Sequence, residues 1–170
     1  MVALIPGSFD PITAGHVNII ERAAKIADKV YVAVMNNDSA EHSDVLSSKT
    51  YMFPMDTRFE LVKLSLEHIK NVRVVSSGGM LIDLFDELQA DVVIKGIRGS
   101  ADLEYELIHA KWNKEHNARF ETLLLPASES FSSISSTQVR EYLTAGDLER
   151  LKGILSDKAI EYMSSRLGEK

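Results

Sequence analysis

Cysteine is absent from the 170 residues, which excludes disulfide scaffolds, zinc ribbons, thiol nucleophiles and iron–sulfur clusters together. The absence is compatible with a reducing compartment without fixing one. Proline is scarce, with 4 residues, and tryptophan occurs once. No apolar run approaches the ~20 residues needed to span a bilayer, so no membrane partner is expected. The opening Met-Val-Ala-Leu-Ile-Pro-Gly lacks a basic region and is cut short by Pro6, so no secretory signal is expected either. Positive charge is in deficit: 19 Lys+Arg against 25 Asp+Glu give a net charge of −6. Non-specific nucleic-acid binding needs a clustered basic field, and no nucleic-acid partner is expected here. Any anionic ligand must be held by a few well-placed cationic groups.

What is present has ordinary globular proportions. Hydrophobic residues make up 45% and charged residues 26%, which rules out disorder as the global state. At about 150 residues per domain the length predicts one domain, residues 1–170, with enough chain for a core. The expectation is a soluble, intracellular protein.

Short β-branched runs alternate with longer amphipathic ones. Strands are predicted over Val2–Ile5, Lys29–Met35, Val72–Val75, Asp91–Lys95 and Phe120–Leu125. Their nearly continuous apolar character suits strands buried on both faces, as in a parallel sheet. Val17, Ile20, Ala24 and Ala27 predict a first helix, Phe59, Val62, Leu66 and Ile69 a second, and Leu81, Leu84, Phe85 and Leu88 a third. Leu103, Leu107, Ala110 and Lys111 make a weaker fourth stripe in a polar helix ending near His116. Ser135–Thr144, stopped by Gly146, and Asp157–Leu167 read as closing helices. Strand then helix, repeated, predicts an α/β fold: a doubly wound, five-stranded parallel sheet with C-terminal helices. The stretch Asn36–Ser48 is polar and long for a strand-to-helix connection, a length usually associated with function or mobility.

Several familiar devices are missing. There is no P-loop, no G-x-G-x-x-G after the first strand and no G-x-S-x-G elbow. Glu106 and His109 form one E-x-x-H, whereas a di-metal bundle needs two plus further carboxylates. The first strand instead runs into Pro6-Gly7-Ser8-Phe9-Asp10-Pro11-Ile12-Thr13-Ala14-Gly15-His16. This is a turn at the carboxyl end of a central strand, where open α/β sheets bind ligands. His16 falls at or next to the start of the first helix, where dipole and unpaired N–H groups favour an anion. Ser8 or Thr13 can equally be turn or capping residues there. A second segment, Ser132-Ser133-Ile134-Ser135-Ser136-Thr137-Gln138-Val139-Arg140, opens the helix after the fifth strand with three consecutive hydroxyls. Caps and N–H donors gathered at one place suit a polyphosphate. A third, Lys95-Gly96-Ile97-Arg98-Gly99-Ser100, leaves the fourth strand with two cations suited to phosphate. Lys49 closes the long polar stretch.

These residues carry a resemblance. Gly7–His16 resembles the [ST]-x-G-H signature of the adenylyl- and cytidylyltransferase superfamily, and Ile134-Ser135-Ser136-Thr137 resembles its I-S-S-[ST] signature. The run Arg98-Gly99-Ser100-Ala101-Asp102-Leu103-Glu104-Tyr105-Glu106 is similar to one branch, the bacterial phosphopantetheine adenylyltransferases. The match covers Val2 to about Leu143. It implies transfer of adenylate from ATP to 4′-phosphopantetheine, giving dephospho-coenzyme A and pyrophosphate, with Mg²⁺ held mainly by the phosphates rather than by protein ligands. It further implies a cytoplasmic homohexamer serving coenzyme A synthesis.

By position, the resemblance makes His16 and Lys49 the catalytic pair. Ser8 and the Phe9 backbone would touch both substrates. Gly96, Ile97, Arg98, Glu106 and the segment Phe131, Ser132, Ser133, Ile134, Ser135, Ser136, Thr137 would join His16 on ATP. Lys49 and Lys95 would hold the acceptor's phosphate, and Leu81 its apolar arm, with Met80 the alternative one residue away. Lys95 stands where some members carry Arg, which keeps the charge and loses the fork.

A phosphomonoester dianion is already a nucleophile near neutral pH, so direct in-line displacement needs no general base, and Asp10 is expected to be structural. Two other readings stay open on the residues alone. One is a sibling enzyme with another acceptor, such as nicotinamide mononucleotide or glycerol phosphate. The other is a nucleotide sensor that binds ATP without turning it over.

Overall fold

The computed structural model describes residues 1–36 and 50–167. Lys49 and residues 37–48 of the polar stretch lie outside them. Five strands, β1 (Val2–Gly7), β2 (Lys29–Met35), β3 (Val72–Ser77), β4 (Val92–Ile97) and β5 (Thr122–Pro126), form one sheet in the order β3-β2-β1-β4-β5, parallel throughout. Six helices connect and close it: α1 (Ala14–Ile26), α2 (Met55–Leu66), α3 (Leu81–Glu87), α4 (Ser100–His116), α5 (Ser136–Ala145) and α6 (Asp157–Leu167). This is a Rossmann-like α/β fold.

Alternation along each strand divides the core into two layers. Ala3, Ile5, Val30, Val32, Val34, Val92 and Ile94 face α1, α2, α5 and α6, meeting Ile20, Leu61, Val62, Val139 and Met163. Leu4, Ala33, Met35 and Val93 face the other way, onto Leu84, Phe85 and Phe120.

Two predicted boundaries move for physical reasons. β1 does not stop before Pro6-Gly7; it pairs with β2 through Gly7. Val2 O accepts from the Asp91 N–H at 2.8 Å, so even-numbered residues of β1 face β4. β1 and β4 pair only at Ala3 and Leu4. Pro6 therefore turns its missing N–H toward the side where the two strands have parted, and breaks no ladder. That parting is the topological switch of the sheet, where the chain winds one way to β2 and the other to β4. α1 begins at Ala14 rather than Val17, which takes His16 inside the helix.

α4 departs furthest from expectation. Its predicted stripe is not a core stripe: Leu107 is 51% exposed, and Asn113 is the helix's one buried residue. α4 stands off the sheet, and the space beneath it is a cavity.

Candidate active site

Two cavities open at the carboxyl ends of β1 and β4. The first, about 330 Å³, is floored by the turn after β1 and walled by α1, the end of β4 and the start of α5. Ser8, Phe9 and His16 line it from one side, and Lys95, Gly96, Arg98 and Glu106 from another. Phe131, Ile134, Ser135, Ser136 and Thr137 complete it. The imidazole at 16 and the hydroxyls at 135–137 thus share one chamber. Ile97, Ser132 and Ser133 do not line it. The Ile97 carbonyl instead accepts from the Ala127 N–H at 2.7 Å, and the Ser132 hydroxyl donates to Glu129 O at 2.8 Å.

The floor is built by a tight fit. Phe9 holds φ +45°, a left-handed conformation rare for an aromatic residue. Its ring covers Gly7, where an added Cβ would sit 2.8 Å from the ring carbon Cζ. The same ring meets the His16 imidazole edge-on, with centroids 5.2 Å apart. Only glycine at position 7 leaves room for this stack.

Thr13 caps α1 in a capping box with His16: the Thr13 N–H donates to His16 Nδ1 at 3.0 Å. A ring nitrogen that accepts carries no proton, so the neutral imidazole keeps its hydrogen on Nε2. Desolvation by the surrounding protein, with the Arg98 charge adding to it, pushes the His16 pKa down to about 4. His16 is thus a neutral donor near pH 7. The helix start itself offers an anion less than its position suggests, because the Ala14 N–H is taken by Ile154 O at 2.7 Å.

At α5 the hydroxyls divide their work. Ser135 caps the helix, accepting from the Gln138 N–H at 3.2 Å. Ser136 donates to Pro11 O at 2.8 Å, and Thr137 accepts from Arg140 Nη2 at 3.0 Å. Arg140 Nη1 donates to Asp10 O at 2.7 Å, so α5 and the β1 turn are stitched together. Asp10 is buried, and its carboxylate accepts from the Met52 and Phe53 N–H groups, both at 2.9 Å.

Both cations leaving β4 are paired with acids one turn apart on α4. Arg98 donates to Asp102 at 3.1 Å, and Lys95 Nζ lies 3.2 Å from Glu106. Lys95 and Glu106 also line the second cavity, about 440 Å³, with Met80, Leu81, Trp112 and Asn113. Met80 and Leu81 both reach this chamber, so the structure places both alternatives there. Asn113 is 4% exposed, and its Oδ1 has no hydrogen-bond partner among the described residues. Lys49 lies outside the described residues.

Sequence reasoning missed Arg58 and Asn113. Arg58 shares the buried face of α2 with Leu61, Val62 and Ser65. A charged residue at a core-facing helical position was the available signal.

Comparison with known proteins bears on this arrangement. The cytidylyltransferase-like family model matches residues 4–142. Phosphopantetheine adenylyltransferase of Bdellovibrio bacteriovorus is 38% identical over 166 residues, covering 98% of this chain and 97% of that protein. The enzyme of that name from Staphylococcus haemolyticus is 41% identical over 82% of this chain and 81% of its own. That from Clostridium novyi is 35% identical over 99% and 98%. A crystal structure from Vibrio parahaemolyticus, described as a nicotinate-nucleotide adenylyltransferase, superposes with TM-score 0.69 at 17% identity, covering 96% of this chain and 91% of that one. It shares the fold.

Proposed function

The chain belongs to the cytidylyltransferase-like family and, within it, to the phosphopantetheine adenylyltransferases, and from this membership we propose how its two cavities divide the reaction. Enzymes of this kind make dephospho-coenzyme A and pyrophosphate from ATP and 4′-phosphopantetheine. The first cavity takes ATP and the second takes the pantetheine arm, with the acceptor phosphate entering where they meet, at Lys95. The observation that carries this reading is that junction: Lys95 and Glu106 line both chambers.

In the first cavity, Ser8, Phe9, His16, Gly96, Arg98, Glu106, Phe131, Ile134, Ser135, Ser136 and Thr137 receive the nucleotide. Ile97, Ser132 and Ser133 support that wall from outside it. In the second, Leu81 and Met80 pack on the aliphatic arm. Asn113 Oδ1, a buried acceptor without a donor among the described residues, suits an amide N–H of pantetheine. An oxygen of the acceptor phosphate forms a bond to the α-phosphorus as the bond to the bridging oxygen breaks. That oxygen leaves with its electron pair on pyrophosphate, and no proton has to be removed. Catalysis is then positioning and charge stabilisation. His16 Nε2–H donates to phosphate oxygen in the transition state, and the ammonium of Lys49 is assigned beside it by the resemblance. Lys95 exchanges Glu106 for the acceptor phosphate.

Among the described residues no three His, Asp or Glu side chains converge to hold a metal, and Asp102 and Glu106 already carry cationic partners. The chain therefore fits Mg²⁺ carried by the triphosphate, a hard ion usually bound through few carboxylates and substrate phosphates. When bound, it neutralises phosphate charge.

A single nucleotidyltransferase domain over residues 1–170, cytoplasmic residence and a homohexamer complete the proposal, the one-domain count from chain length and the other two by resemblance. The exposed apolar residues Leu107 and Ile108 on α4 support assembly. The test is pyrophosphate release by the purified chain with ATP and Mg²⁺. Release with 4′-phosphopantetheine is expected. Release only with nicotinamide mononucleotide or glycerol phosphate would transfer the assignment to a sibling acceptor, and ATP binding without release would leave a sensor.

A further inference from the structure

Arg58 is 1% exposed, and its guanidinium is spent on four neutral oxygens. Nη1 donates to Ser8 O at 2.7 Å and Met35 O at 3.2 Å, Nη2 to Asn36 Oδ1 at 2.6 Å, and Nε to Phe53 O at 3.1 Å. The Tyr51 ring lies 4.3 Å away beneath it. Among the described residues no carboxylate comes within ion-pair distance of Arg58. Desolvation holds the Arg58 pKa below its usual value, outweighing the Asp10 charge, which reaches it only from beyond ion-pair distance. Burying a cation without a direct ion pair is costly, and a well-packed hydrophobe would fill the site more cheaply if packing were all that mattered.

The shortest of its bonds to a main-chain oxygen falls on the one turn that floors the nucleotide cavity. A peptide unit is planar and trans, so its C=O and N–H point in opposite directions. Whatever fixes Ser8 O also fixes the Phe9 N–H. Phe9 is buried, lines the first cavity and sits at φ +45°. Its N–H makes no hydrogen bond among the described residues, although buried backbone donors are seldom left unpaired. A single arrangement accounts for these observations.

We propose that Arg58 is a positioning residue for adenylate transfer: by holding the Ser8 carbonyl on its own side, it turns the Phe9 N–H toward the cavity as a donor to a phosphate oxygen of the nucleotide. The proposal rests on the assignment of the first cavity to ATP. Arg58 touches no substrate, and its effect passes through one peptide plane. The four oxygens match a forked guanidinium, and a lysine ammonium in the same place keeps the charge without the fork.

The test combines Arg58→Lys with amide spectroscopy of the wild-type chain. Loss of a preorganised backbone donor lowers kcat by about 10²-fold, so Arg58→Lys is expected to lose that much per folded molecule. In the wild type, a non-hydrolysable ATP analogue is expected to shift the Phe9 amide proton downfield and slow its exchange, and in Arg58→Lys it is expected to do neither. A merely structural arginine would lower the melting temperature while the folded fraction kept wild-type kcat and Phe9 shift; that result overturns the proposal. If Arg58→Lys does not fold, the wild-type amide alone decides, and a Phe9 signal indifferent to the analogue refutes it. Failure of the wild type to release pyrophosphate would sink the functional reading instead, with the Phe9 signal still reporting on Arg58.

Discussion

His16 carries two properties in one ring: Nδ1 is occupied by the Thr13 N–H, and the pKa is depressed to about 4. Together they make Nε2–H a permanent donor across the neutral range, so His16 is expected to add no titration near pH 6.5 to the kcat profile. The neutral limb of that profile belongs to the acceptor phosphate, whose second ionisation has a pKa of ~6. His16→Ala removes the donor but little ground-state contact, and loss of one such donor costs about 10²–10³ in rate. Single-turnover kinetics should show kcat falling by that factor while ATP affinity changes far less. Collapse of affinity with kcat preserved would reverse the assignment. The same depressed pKa has a stability consequence. Between pH 6.5 and about 4 the unfolded chain binds a proton at this site that the folded chain does not. Stability from His16 is therefore complete above pH 6.5 and is lost as pH falls through that window. Urea titrations at stepped pH are expected to show a steeper acid loss in the wild type than in His16→Ala.

α4 shows where pattern reading stops. Its existence, its end at His116 and its polar character were legible, and so was the placement of Lys95 and Arg98 at the cavity, because cations after a buried strand sit at the ligand edge by topology. The pairing of those cations with Glu106 and Asp102 was not legible, since it depends on how far α4 stands from the sheet. Nor was Asn113, which looks like any polar helical residue until the cavity beneath it is seen. β2 and α6 were read to the residue because burial imposes their period, whereas the α2 stripe was shifted because Arg58 occupies a position where the pattern expects an apolar side chain. Asn113→Leu tests the assignment of the second cavity. Removing one neutral hydrogen bond is worth about 1 kcal/mol, so KM for 4′-phosphopantetheine is expected to rise about 3- to 10-fold with KM for ATP unchanged. Because the variant also deletes a buried unpaired oxygen, its denaturation midpoint should equal or exceed that of the wild type. A lower midpoint with unchanged KM would show Oδ1 bonded within the protein.

The whole chain carries a net charge of −6, yet its proposed substrates are both anionic. The molecule answers this with local rather than global charge: Lys95, Arg98 and Arg140 line one cavity at the switch point of the sheet. The outer face of α4 meets a different requirement. Leu107 and Ile108 are 51% and 62% exposed on a helix whose inner side lines a cavity, so neither contributes to the chain's own core. In a hexamer such residues find apolar surface on a second copy, and assembly would also brace α4, which carries Glu106 and Asn113. A Leu107→Glu/Ile108→Glu double substitution places like charges at such a contact, where desolvating unpaired carboxylates is costly. Light scattering is expected to report six chains for the wild type and a smaller species for the double variant. KM for 4′-phosphopantetheine should rise in that smaller species as α4 loses its support. A double variant with wild-type mass would move the interface elsewhere on the surface, and a monomeric wild type would end the hexamer proposal while leaving the two-cavity assignment to its own tests.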